Sequence, residues 1–442
     1  MELFLQGGQS KEFFYMEEKI ENTEARPDIL KRLLEKGVQV PCPESVEIGV
    51  NVSPERISGE GVIIHTGCKI MGSSTLIMPG VELGYEAPAT VHNCQIGRDV
   101  KLGGGFYHES VFLEGAGTGS GAQIREACLF EEGSRSAHNV GLKHTILHPF
   151  VTLGSLINFC DCMMAGGTAE KNHSEVGSSY IHFNFTPNQD KATPSIMGDV
   201  PRGVMLNQPP IFLGGQGGMA GPVRIEYGTV VAAGTIVRKD FLKQSMILLG
   251  HPSIAKSIPH HAGLYSNINR IIKLNIAYIS NLITLRRWYI DIRSRFMERD
   301  NMGPALHKGA VEKIEMAIDE RLKRLGEVAD RMPDSIMIYK KIAGSACSEK
   351  TINIKQELFG RWNDIEHTLK ACLSKEGDAS RREMFLEMIE NTVKREGGDY
   401  IRAIKGLNER ESETGTAWLQ GLVDEIIQEA WAVLSGYGEK ND

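Results

Sequence analysis

The sequence predicts a left-handed parallel β-helix over roughly residues 45–252, followed by an all-helical region over 253–442. Two observations carry this reading. Glycine and proline crowd into the first part, since 34 of the 48 Gly and 14 of the 17 Pro lie at or before Pro252. Within it, short β-branched runs alternate with Gly about every six residues, as in ISGEGVIIHTGCKIMGSSTLIMPGVELG from Ile57 to Gly84. There Ile57, Ile63, Ile70, Leu76 and Leu83 fall six or seven positions apart. So short a period marks a coil whose turns cannot bury their apolar edges alone and make a core by stacking. A sandwich would show turns every 8–12 residues with strict alternation.

Taken in order, residues 1–44 read as an N-terminal segment and a linker helix before the coil. The opening MELFLQGGQSKEFFYMEEKI lacks the basic, apolar and small-residue sections of a secretory signal, so a cytoplasmic protein is expected. The coil pattern recurs in CQIGRDVKLGGG (94–105) and GPVRIEYGTVVAAGTIVRKD (221–240), with irregular stretches near 104–120 and 160–215. Beyond the coil, Ile271, Leu274, Tyr278, Leu282, Leu285, Tyr289, Ile292 and Phe296 recur at three- and four-residue steps, which predicts a long helix. A second stripe of Ile268, Ile272, Ile276, Ile279 and Ile283 covers another face. Such a helix is packed on two sides, in a bundle or against a partner chain. Further amphipathic segments lie near 307–332, 350–375, 380–395 and 414–435, with loops at MGP (302–304) and GSACS (344–348).

Composition narrows the function classes. Apolar residues make up 41% and charged residues 24%, as in ordinary globular chains. The net charge of −7, with no cluster of Lys or Arg among aromatics, argues against a nucleic-acid partner. The most apolar run, Ile268 to Ile292, carries Lys273, Arg286 and Arg287, so no membrane span is expected. Eight scattered Cys predict reduced thiols.

Three segments resemble a known family. NFTPNQDKATPSIMGD from Asn184, IFLGGQGGMAGPVRIEYGTVVAAGTIVRKD (211–240) and the coil entry LLEKGVQVPCPESVEIGVNV (33–52) are similar to one half of a bifunctional enzyme. That half is the β-helical acetyltransferase of the N-acetylglucosamine-1-phosphate uridyltransferase / glucosamine-1-phosphate acetyltransferase family. The likeness implies a trimer with clefts between subunits and acetyl-CoA as co-substrate. It further implies a sugar phosphate or nucleotide sugar as acceptor. Only about 45 residues precede the coil, so uridyl transfer is not expected. The region after residue 260 has no counterpart in the family, and its role is not inherited.

Acetylating an amino sugar with a thioester needs a base for the amine proton, a role that suits histidine because it titrates near neutrality. Two histidines compete for it. GSRSAH (133–138) resembles the family's base-containing run with His138 in place, although Gly141 stands where the family has a sugar-contacting Tyr. NHSEVGSSYIHFNF (172–185) resembles the same loop with His173 as base, nearer in sequence to Asn184. By the same resemblance Asn184, Phe185 and Lys191 face the sugar phosphate and cofactor, with Lys191 displaced by one residue, and Arg125 replaces a Lys near the phosphate. Gly215, Ala232 and Ala233 match positions whose small side chains admit the pantetheine arm; the plainer reading is that they are coil corners.

Two other functions are open at this point. A β-helix can keep the sugar-phosphate cleft as a non-catalytic binding or scaffold surface while the helical region recruits partners. Alternatively, Cys160, Cys162 and His173 offer thiolate and imidazole ligands for zinc, with Asp161, His148 or His182 as fourth ligand.

Overall fold

Residues 26–250, 257 and 259–434 are described in a computed structural model. The expected boundary at 252/253 and the segment 1–25 lie outside the described residues. After a linker helix, α1 (Arg26–Glu35), the chain winds about eleven turns of parallel β-helix between residues 47 and 248. Each full turn gives a strand to each of three faces. The first-face ladder runs Glu47, Lys69, Thr90, Phe106, Gln123, Gly141, Asn158, Ile181, Gly218, Ile236. On the second face Leu76, Gln95, Val111, Leu129, Ile146, Met163, Ile196 and Arg224 stack. The third face carries Ile63, Glu82, Lys101, Gly117, Arg135, Thr152, Glu175, Phe212, Val230, Ile247.

Successive partners such as Lys101, Gly117 and Arg135 are 16 and 18 residues apart, so one turn is about three of the six-residue units seen in the sequence. The steps from Thr152 to Glu175 and from Glu175 to Phe212 are longer. They hold a hairpin at Gly167–His173, a loop at 184–194 and the short helix α2 (Val200–Gly203). Inward side chains including Val62, Ile64, Leu83, Val91, Leu102, Ile124 and Leu142 form a continuous core along the axis. Burial of each such aliphatic contributes about 1.5–3 kcal/mol, which no single turn could collect alone.

The helical region folds back on the coil. α3 (Ile268–Trp288) continues through a π-helical turn, Tyr289–Arg293, into α4 (Ser294–Met297). There follow α5 (Gly303–Asp330), α6 (Met332–Ala343), α7 (Glu349–Gly360), α8 (Trp362–Ala371), α9 (Ala379–Glu396), α10 (Tyr400–Lys405) and α11 (Glu409–Val433). The expected segment 350–375 is two helices that meet at Arg361, and α6 and α10 were not anticipated. Second-face side chains Leu76, Met78, Val111, Leu129, Ile146, Met163 and Ile196 share one apolar cluster with α3 and α5. Both stripes of α3 are thereby buried within the chain, as Ile268, Ile272, Ile276, Ile279 and Ile283 on one and Leu274, Tyr278, Leu282 and Leu285 on the other. This helix therefore needs no partner chain. Among the described residues, no helix is long and apolar enough to cross a membrane.

Candidate functional site

Where the chain passes from the first face to the second it must turn sharply. Successive turns do so with one residue at positive φ: Glu109, Ala127, His144 and Asp161. Because Lys143 pairs with Cys160 and Thr145 with Cys162, His144 stacks directly on Asp161 one turn along. Stacked strands lie about 4.8 Å apart, within side-chain hydrogen-bonding reach, and His144 Nδ1 sits 3.2 Å from Asp161 Oδ1. The left-handed backbone at these two residues belongs to a corner ladder, so it is architectural rather than strain peculiar to a site.

On the next turn the same corner expands into the loop 184–194, which brings Asn184 back onto the ladder. Its Nδ2 donates to Asp161 Oδ2 at 3.1 Å. From the far side, α5 inserts Arg321, which donates to Asp161 Oδ1 at 2.6 Å and to the Lys191 carbonyl at 3.0 Å. Burial would raise the Asp161 carboxyl, but the Arg321 charge and the hydrogen bonds from His144 and Asn184 outweigh it and hold the group well below the usual carboxylate range. Asp161 therefore stays ionised at neutral pH. The ionised carboxylate fixes the imidazole of His144 with Nδ1 as donor.

Beside this group opens a cleft of about 340 Å³ lined by Arg125, Lys143, His144, Cys160, Asp161, Asn184, Phe185, Lys191, Glu320 and Arg324. Lys143 is paired with Glu126 at 2.5 Å, and Arg324 with Glu320 at 2.7 Å and Glu327 at 3.0 Å. Arg125 and Lys191 differ. Among the described residues their side chains make no hydrogen bond or ion pair with the protein. Two uncommitted cations beside an amide donor are suited to an anion such as phosphate. The Cys160 thiol is pushed up to about 11 by burial, with the Asp161 charge adding to the effect, so it is protonated near neutrality and is no thiolate nucleophile.

All four residues expected to contact substrate, Arg125, Asn184, Phe185 and Lys191, meet in this cleft. The two expected bases do not. His138 is exposed on the corner between the third and first faces, 3.9 Å from Glu86. His173 ends the Gly167–His173 hairpin, on the corner between the second and third faces, with Nδ1 2.6 Å from the Glu170 carbonyl and Nε2 3.6 Å from Glu175. Within one chain the imidazole of the cleft is His144, which sequence reasoning missed. The signal was present, because His144 and Asp161 are separated by the 17 residues of one turn.

Gly215, Ala232 and Ala233 lie on the His138 corner, several turns along. Turns there approach closely: a Cβ at Gly214 would lie 2.3 Å from the Ala233 nitrogen, and one at Gly177 would lie 2.5 Å from the Gly215 nitrogen. Stacking alone thus accounts for the glycines of this corner, Gly215 among them, whose Cβ would lie 2.8 Å from the Ser178 carbonyl oxygen, and this corner does not open onto the cleft in the same chain. The zinc set is not assembled either. Cys160 borders the cleft, Cys162 is sealed in the coil core beyond the Asp161 corner, and His173 sits on another corner. No three His, Cys, Asp or Glu side chains among the described residues gather closely enough to hold a metal ion.

The chain is thus a parallel β-helix with a cationic corner cleft beside a histidine held by an ionised carboxylate. The chain is similar to the bifunctional protein GlmU of Thermotoga sp. (strain RQ2), 24% identical over 212 residues, which is 48% of this chain and 42% of that one. It is also similar to the bifunctional protein GlmU of Nitratidesulfovibrio vulgaris (strain DP4), 25% identical over 223 residues, 49% of this chain and 42% of that one. The chain thus spans less than half the length of the curated relatives it matches. No family model matches the chain.

Proposed function

We propose that the protein binds a sugar phosphate or nucleotide sugar in the corner cleft and transfers to it the acetyl group of acetyl-CoA, acting as a cytoplasmic homotrimer. The observation that carries this reading is the convergence of Arg125 and Lys191, both uncommitted, beside Asn184. Phosphate rests on the two cations while the sugar reaches toward His144. With Nδ1 engaged by ionised Asp161, Nε2 is the basic nitrogen. The acceptor amine attacks the thioester carbonyl, the C–N bond forms and the C–S bond breaks. His144 takes the amine proton and hands it to the departing CoA thiolate. The resemblance assigned the base to His138 or His173, which reach this cleft only from a neighbouring chain. The Gly215–Ala233 corner, as a groove for the pantetheine arm, likewise needs a neighbour to meet the cleft. An exposed in-register ladder of Phe212, Val230 and Ile247 on the third face offers that neighbour an apolar surface.

Gly141 in place of the sugar-contacting Tyr favours a second reading, a β-helix that binds the sugar phosphate without turning it over. The experiment is CoA release from acetyl-CoA with glucosamine 1-phosphate, run beside a direct binding measurement. Binding with CoA release supports acyl transfer, and binding without release supports the scaffold. No binding of any sugar phosphate defeats both.

A further inference from the structure

The loop 184–194 lies within the stretch 184–240 that resembles a known family, yet much of what holds it comes from the helical region. Arg331 donates to the Asn188 carbonyl and, at 3.2 Å, to that of Gln189. The Gly263 amide donates to Asn188 Oδ1 at 2.9 Å, and the Tyr265 hydroxyl to Asp190 Oδ2 at 3.0 Å. Asn275 of α3 donates to the Ala192 carbonyl at 2.9 Å, and Arg321 of α5 to that of Lys191. Glu320 and Arg324, on the same turn of α5 as Arg321, form part of the cleft wall.

Arg321 stands out among these. It is 1% exposed and lies on the core-facing stripe of α5 with Ile314, Ala317, Ile318 and Leu325, where a charged side chain is rare unless paired. Its guanidinium spans two parts of the cleft. One amino group holds Asp161, which in turn orients His144 and Asn184, and the other holds the backbone of Lys191. A planar fork serves two acceptors at fixed spacing, whereas a lysine ammonium concentrates its charge at one point. We propose that the helical region completes the cleft within the same chain, with Arg321 as the positioning residue that sets His144, Asn184 and Lys191 relative to one another. The inference rests on reading the cleft as a phosphate site, and its test separates the two.

The test compares the full-length chain with its Arg321→Lys variant by thermal unfolding, by calorimetric titration with glucosamine 1-phosphate and by hydrogen exchange at the Thr186 and Gln189 amides. Lysine keeps a cation beside Asp161, so unfolding stays close to wild type. Losing the second arm raises the Kd at least about tenfold and speeds exchange of the loop amides. A folded Arg321→Lys chain with wild-type Kd and unchanged loop exchange overturns the proposal, leaving Arg321 a purely structural residue. If the wild type binds no sugar phosphate, the phosphate reading fails, and loop exchange still decides whether Arg321 positions the loop. Should Arg321→Lys not fold, Arg331→Gln removes a hold at the loop's surface end and is judged by the same two readouts.

Discussion

Replacing Lys191 by Ala probes the anion cleft with little disturbance to the fold. Lys191 is half-buried and forms no hydrogen bond or ion pair through its side chain among the described residues. Its removal should change folding stability by no more than about 0.5 kcal/mol. A hydrogen bond to a charged group contributes about 1.5–3 kcal/mol, so the Kd for glucosamine 1-phosphate should rise roughly 10- to 150-fold. Arg125 is exposed, so water and salt screen its charge more, and Arg125→Ala should fall toward the lower end of that range. Titration calorimetry at low and at about 0.3 M salt separates the contributions. The loss from Arg125→Ala should shrink at high salt, and that from Lys191→Ala should shrink less. Wild-type affinity in Lys191→Ala at low salt, with melting unchanged, would refute the assignment of the cleft to phosphate.

Three further outcomes follow from the geometry. His144→Gln should lower CoA release by about 10²- to 10⁴-fold while leaving sugar-phosphate affinity within a few-fold, and equal losses in His138→Ala or His173→Ala would return the base role to the other corners. His182 is buried, with Nδ1 2.6 Å from the Cys160 carbonyl and Nε2 2.8 Å from Ser195 Oγ, and burial lowers it to about 4. The unfolded chain takes up this proton first, near pH 6.5. The stability His182 gives is therefore complete above that pH and falls by about 3 kcal/mol as pH drops to 4. Denaturant titrations across this window should show the slope reduced in His182→Gln, and an identical slope in both chains would contradict the buried neutral imidazole. Light scattering at micromolar concentration should give three copies per particle, reduced by Val230→Glu on the exposed third-face ladder; a wild-type monomer would remove the intersubunit groove.

Legibility followed the range of the interactions. The coil was readable because its period is local, with Ile57, Ile63 and Ile70 repeating what one turn requires. The long helix was equally plain from its two stripes, but whether they met a partner or the coil itself depended on contacts between residues more than 100 positions apart, such as Tyr289 with Glu131. Arg125, Asn184, Phe185 and Lys191 were found because a resemblance carried them. His144 and Asp161 were overlooked because their meeting depends on turn length rather than on neighbouring residues, and the two insertions obscured the count further along. A positive charge in the apolar stripe of α5 was a visible sign that Arg321 had a buried partner, but nothing local to α5 named Asp161.

In this reading one corner of the coil holds the phosphate of a sugar ligand between Arg125 and Lys191. A crystal structure of the full chain soaked with glucosamine 1-phosphate tests it most directly. Phosphate density between those two side chains, with the sugar amine toward His144, is the expected result. Density at the His138 or His173 corner, or an empty cleft at saturating ligand, would contradict it.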